Sequence, residues 1–369
     1  MKKLLVFLIL IFAFSVSVSA QDNIYVSQVE KSGLNGTAEQ LSDETRQILQ
    51  DLGLDEDNGF NPQNLDSANV FSKILSFFKD GGKAPFKAML SMIAVMILLS
   101  LTSFAAEKSA VNPALSYVFA LVICGTAVFP IISCITSAAS AAKGTGLFML
   151  SFVPVFAGIV VSSGAGTTGV GMSALLLFAA ETVVQTAAFV IVPLMSAYLA
   201  LGVASGVSPL INSTGISESV KKIAVWVLTL SFTLFLGLLS VQTTINATAD
   251  SMSVKTLKFL VGSFVPVAGT ALSESITTVG GALTLLRNSA AIYAVVAVCA
   301  ILLPVIAEML LWRLSLMLSG MVAGVLGVPK APQILKSLDT VLAVMIGILL
   351  FIGALFTISL GAVMSIVKT

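Results

Sequence analysis

Six stretches of the chain, residues 86–106, 114–138, 174–203, 223–246, 290–312 and 340–366, are almost unbroken runs of apolar side chains. Each is near or above the roughly 20 residues that a helix needs to cross about 30 Å of hydrocarbon. In that solvent every backbone N–H and C=O must be satisfied within the protein, which leaves helices or closed barrels. Apolar runs this long, without alternation, select helices. The expectation is an all-α, polytopic membrane protein with about six long transmembrane helices. Charge agrees: only 10% of the 369 residues are charged, against about 25% in a soluble domain. The net charge of +1 and the lack of any basic run point to no nucleic-acid partner.

Two further apolar runs are shorter. Residues 147–161 (LFMLSFVPVFAGIVV) and 259–272 (FLVGSFVPVAGTAL) share the pentapeptide SFVPV, with Pro154 and Pro266 at its fourth position. Each is followed by small and polar residues, SSGAGTTGVGMS at 162–173 and SESITTVGGALT at 273–284. Apolar runs of this length are more often re-entrant or buried than spanning. Both are therefore read as proline-broken, re-entrant segments; the alternative, that each crosses, would invert the two halves.

The likeness extends beyond five letters. Lys143 lies eight residues before Ser151, and Lys255 eight before Ser263; Pro193 follows Pro154 by 39 residues, and Pro304 follows Pro266 by 38. Residues 113–203 and 222–312 thus read as an internal duplication, with 340–366 as a final span. Pro130, Pro193 and Pro304 lie inside long runs and are expected to kink their helices. Interrupted segments at matching positions of two halves are a sequence pointer to a membrane-embedded site or pathway. The competing reading is tight helix packing through small residues.

The N-terminus has the parts of a secretory signal peptide. Met1-Lys2-Lys3 is basic, Leu4 to Phe14 is apolar, and Val18-Ser19-Ala20 offers a small-residue cleavage site, giving a signal over 1–20. An uncleaved first membrane helix is the alternative. Residues 21–83 then form a small polar segment with eleven acidic and five basic residues, net −6, expected outside the cytoplasm as a spacer or a docking site. Thr37 to Leu52 reads as a helix stopped by Gly53, and Val70 to Phe78 as a short amphipathic helix along the membrane surface. The multi-pass domain is 84–369. With the two short runs re-entrant, Lys221, Lys222, Arg313, Lys330 and Lys336 fall inside, as the positive-inside rule prefers. Lys143, Lys255, Lys258 and Arg287 fall outside, against that preference.

Chemistry-bearing residues are few. The chain has no histidine, and HExxH, GxSxG, CxxC and a Walker-type GK[ST] ending are absent. Cys124, Cys134 and Cys299 sit in apolar runs, as expected of buried free thiols. No enzymatic activity, metal or cofactor is expected. Glu181 stands about eight residues into the 174–203 run, with Gln185 one turn further on the same face. A carboxylate at such depth is costly and faces the bundle interior, a cavity or a partner. Glu181 and Gln185 are therefore candidate pathway or gating residues, with Pro154, Pro266 and Glu274; the alternative for Glu181 is a structural hydrogen bond. Glu308 and Arg313 read as groups near an interface.

A signal peptide, a short polar segment and a multi-pass region carrying SFVPVAGTALSESITTVGGALTLLRN at 263–288 together resemble the stage III sporulation protein AE family of endospore-forming bacteria. The first SFVPV copy and KAPQILKSLD at 330–339 support the likeness, which covers nearly the whole chain. The resemblance implies a membrane component of the mother-cell-to-forespore channel or secretion complex. It implies a place in the mother-cell membrane around the forespore and a need in late forespore gene expression. The implied partners are other stage III sporulation membrane and ring-forming proteins, a cytoplasmic ATPase and a forespore-side protein, with homo-oligomers and membrane lipid as further contacts. It brings no catalytic residues. A small-solute transporter or permease built on the duplicated elements is the alternative, and a scaffold that only anchors residues 21–83 is a third.

Overall fold

A computed structural model of the chain describes residues 32–54, 67–105, 124–163, 165–186, 192–207, 222–246, 269–327 and 331–366, apart from a few positions within and between these stretches. The expected signal peptide, the second SFVPV copy with Pro266, Lys255 and Lys258 all lie outside the described residues.

The described residues form helices and turns with no strand. We number the helices α1 (Asn35–Ala38), α2 (Asp43–Asp51), α3 (Ser67–Gly81), α4 (Lys83–Ala105), α5 (Phe129–Ser162), α6 (Gly166–Thr186), α7 (Val192–Val207), α8 (Lys222–Asn246), α9 (Gly269–Val325) and α10 (Ala331–Ile366). Among the described residues, six helical stretches are long and apolar enough to cross a membrane: Ala68–Leu98, Gly125–Ser162, Gly166–Val183, Lys222–Asn246, Leu283–Val325 and Ala331–Met364.

Helix α9 is the axis of the bundle. From Leu286 to Ala300 nearly every side chain is buried, as expected of a helix apolar on all sides. It packs against α10, α5, α4, α3 and α2. Gly327, with φ of 65°, ends it in the left-handed conformation that glycine tolerates. The chain then turns back into α10. The Ser100 hydroxyl donates to the orphan Leu326 carbonyl at 3.2 Å, and the Ser315 hydroxyl to the Pro85 carbonyl at 2.8 Å. Paired residues thus advance together, so α4 runs parallel to the second half of α9.

On α5, Phe148, Phe152 and Phe156 recur at every fourth position and therefore share one face. Phe152 stacks on both others, with ring centroids 5.7 Å and 5.3 Å away. Tyr293 of α9 meets Phe148 edge-on at 6.2 Å and Phe152 tilted at 6.5 Å.

The structure corrects the segmentation read from sequence. Residues 147–161 are not a separate broken element: α5 runs unbroken for 34 residues from Phe129 to Ser162, with Pro154 inside it. Proline removes one N–H and crowds the carbonyl four residues earlier. Pro154 lies on the exposed face, away from the aromatic stack, where the helix has room for the ring. The polar joint near 139–146 is helical too. Ala138, Ala141, Ala142 and Gly146 are buried, and the buried Thr145 hydroxyl donates to the Ala141 carbonyl at 2.8 Å. With one SFVPV copy described, the duplication remains a relationship within the sequence.

The run at 174–203 is divided between α6 and α7, and the Gly/Ser/Thr stretch before it forms the first turns of α6. Pro193 is the second residue of α7 and Pro130 the second of α5, after a π-helical turn over Cys124–Val128. Pro130 thus stands within a helical stretch that runs from Gly125 to Ser162, just after the π turn, one of the places where helices bend. Pro193 is near the start of its helix rather than in its middle. Pro304 lies inside α9. Residues 269–272, the end of the second short run, and the small and polar stretch 273–284 after it form the start of α9.

The polar N-terminal segment is not detached from the bundle. Leu34, Leu41, Ile48, Leu49, Leu52 and Leu54 are buried in the same apolar cluster as the long helices. The helix expected over Thr37–Leu52 is divided: the Ser42 side chain caps α2 by accepting from the Thr45 N–H. Gly53, with φ of 74°, stops α2 where expected, and the Leu54 N–H bonds the Leu49 carbonyl at 2.9 Å. Residues 70–78 belong to α3, which leads directly into α4.

Candidate functional site

The ionic groups on the apolar helices form the candidate site, because such groups are costly there and persist where they have work to do. Arg313 of α9 donates from Nε to Asp339 Oδ1 at 2.7 Å and from Nη2 to Oδ2 at 3.3 Å. Antiparallel packing of α9 and α10 brings together residues separated by 26 positions. The planar guanidinium matches the carboxylate with two parallel bonds. Sequence placed Arg313 at an interface without a partner; its pairing with Asp339 is visible only once the turn at Gly327 is known.

Glu181 is on the exposed face of α6. Gln185, one turn on, donates from Nε2 to Glu181 Oε1 at 2.7 Å. The shared face read from spacing is therefore present, and the pair points outward from the bundle rather than towards α9. Phe178, 66% exposed, lies on the same side. The structure does not gather the expected site residues. Pro154 is on the outer face of α5, Glu181 and Gln185 on that of α6, and Pro266 is outside the described residues. Glu274 falls in the first turns of α9, where its side chain is not described.

Glycines set the helix separations around this region. A Cβ added at Gly169 would stand 2.5 Å from Val161 Cγ2 and 3.1 Å from the Ala157 carbonyl, so α5 and α6 meet with only backbone between them. One added at Gly171 would stand 2.0 Å from Gln242 Nε2 and 2.9 Å from Asn246 Oδ1 of α8. Gln242 in turn donates to Asn246 Oδ1 at 3.2 Å, which makes a small amide cluster against α6. One at Gly202 of α7 would stand 2.7 Å from Ser337 Cβ of α10.

Sequence reasoning missed Arg287. Placed outside by the re-entrant reading of the short runs, it is 0% exposed within α9. Its one signal was position: it is the last residue but one of the specific stretch 263–288 and stands just before a long buried run. Cys134 and Cys299 are buried and free, as expected; the Cys124 side chain is not described. Among the described residues no group of three or more His, Cys, Asp or Glu is placed to hold a metal ion.

The stage III sporulation protein AE family model matches residues 57–367. The chain is 26% identical over 251 residues to "Stage III sporulation protein AE" of Bacillus subtilis (strain 168). That match covers 68% of this chain and 62% of the relative, so it spans about three fifths of the relative's own length. No solved structure matches. The match takes in the whole membrane region, from α3 to α10, and the chain belongs to the stage III sporulation protein AE family.

Proposed function

We propose that this sporulation protein is a non-enzymatic integral membrane subunit of a secretion or channel complex that links mother cell and forespore. It lies in the mother-cell membrane around the forespore. It assembles there with other stage III sporulation membrane and ring-forming proteins and with a cytoplasmic ATPase. Family membership from α3 to α10 carries this reading. The packing supports it. Arg313 and Asp339 are tied to each other across two helices, and Glu181 is tied to Gln185 on its own helix. The N-terminal segment supports it too: α1 and α2 pack on α5 and α9 and leave Asp43, Glu44, Arg46, Gln47, Gln50 and Asp51 exposed as a polar docking face.

The test is recovery of a tagged chain from sporulating cells. Ring-forming partners and the ATPase should be recovered with it, and deletion should stop their assembly at the forespore membrane. An intact complex in the deletion strain would overturn the reading. A small-solute permease is the second reading, favoured by the outward carboxylate of Glu181 on an apolar helix.

A further inference from the structure

Arg287 is a large charged side chain that is fully buried. Its Nε and Nη1 have no hydrogen-bond acceptor, and Nη2 reaches only Asn288 Oδ1, at 3.5 Å, the outer limit of such a bond. The ion pairs among the described residues are Arg46–Asp43, Lys73–Asp51 and Arg313–Asp339; Arg287 is in none. The other acids on α9, Glu274 and Glu308, are 13 and 21 residues away, about 20 Å and 31 Å along the axis. On the same helix Arg313 closes the fork of Nε and Nη2 on a carboxylate, whereas at Arg287 Nε has no acceptor and Nη2 has only the long contact to Asn288 Oδ1, which a stronger acceptor would displace.

An isolated buried cation is among the most costly arrangements a core can hold, and an apolar side chain of similar size would pack there at no such cost. Leu286, Ala290, Ala291 and Tyr293 around it in sequence are already sealed. We propose that Arg287 is the receiving residue of an oxyanion site. The ligand is a carboxylate or phosphate group, held side-on by Nε and Nη2 as Asp339 is held by Arg313. Two sources carry that chemistry, a soluble anionic solute and the headgroup of an anionic lipid. Arg287 keeps this role under either reading of the chain's part in sporulation.

The test uses the full chain. Thermal unfolding is followed in neutral detergent with phosphate, citrate or glutamate against chloride at equal ionic strength. It is followed again in phosphatidylcholine nanodiscs with and without phosphatidylglycerol. The wild type should unfold about 2–4 °C higher with at least one of these. A rise in detergent with a soluble anion assigns a solute; a rise confined to phosphatidylglycerol assigns the headgroup. R287M should lose the response and, without ligand, unfold no earlier than the wild type. If R287M does not fold, R287Q replaces it. A wild type indifferent to every anion and lipid, or a variant that keeps the full response, would overturn the proposal.

Discussion

Arg313 and Asp339 form a two-pronged bridge, 2.7 Å and 3.3 Å long, between the antiparallel helices α9 and α10. Both side chains are about one third exposed, at 35% and 30%, so solvent screens part of their attraction. D339N and R313Q should each lower stability by about 1 kcal/mol. The reversed pair R313D/D339R should recover part of that loss, measured by unfolding in detergent across a double-mutant cycle. Additive losses, with no recovery, would show that the bridge contributes nothing beyond its separate residues.

The glycines of α5 and α6 should divide sharply by what surrounds them. G169A places a methyl against Val161 and the Ala157 backbone, which cannot turn away as a flexible side chain can. It should cost roughly 1–3 kcal/mol by forcing the helices apart. Gly144 and Gly158 have nothing within 4 Å of an added Cβ. Alanine at either should leave the unfolding temperature unchanged or raise it, because alanine favours helix over glycine. Equal effects at all three positions would mean that α5 and α6 do not meet at Gly169.

How far the sequence reached can be judged on these same helices. Hydropathy located α8 to within a residue, 223–246 against Lys222–Asn246, and turn chemistry located the stop at Gly53. Both are local signals. Hydropathy failed where small residues serve packing between helices. SSGAGTTGVGMS is small and polar and carries no apolar run, yet Gly166 to Ser173 are helix, and Gly169 and Gly171 there admit α5 and α8. Side-chain polarity could not show this, since the determinant is the absence of a Cβ opposite another element. Pro154 misled for a related reason. A proline on an exposed helix face leaves the packed side intact, and nothing in one sequence says which face it occupies. The burial of Arg287 and the partnership of Asp339 depend on tertiary register, which periodicity does not encode.

Glu181 separates the two readings of function. E181Q keeps an amide oxygen that can accept from Gln185 Nε2, so the local hydrogen bond of 2.7 Å survives without the charge. For a complex subunit, sporulation efficiency and recovery of partners should both remain within about threefold of wild type, since a hydrogen bond exposed in this chain contributes only about 1 kcal/mol. For a permease that uses the carboxylate, solute uptake into the forespore should fall at least tenfold while the complex still assembles. Measuring both in one strain decides between them.

The aromatic stack should be the most sensitive part of the bundle. Phe152 is fully buried between Phe148 and Phe156 and lies against Tyr293, so it joins the face of α5 to the centre of α9. F152A deletes a ring from a site closed on all sides and should cost about 3–5 kcal/mol, the transfer term plus an unfilled cavity. F152L retains most of the volume and should cost less than half as much. Phe178 tests the reasoning in reverse: it is just as large but 66% exposed on α6, and F178A should shift unfolding in detergent by under about 1 kcal/mol. A loss at Phe178 as large as that at Phe152 would mean that the outer face of α6 is covered by protein, either a second copy or an undescribed segment, and that α9 is not the sole centre of the fold.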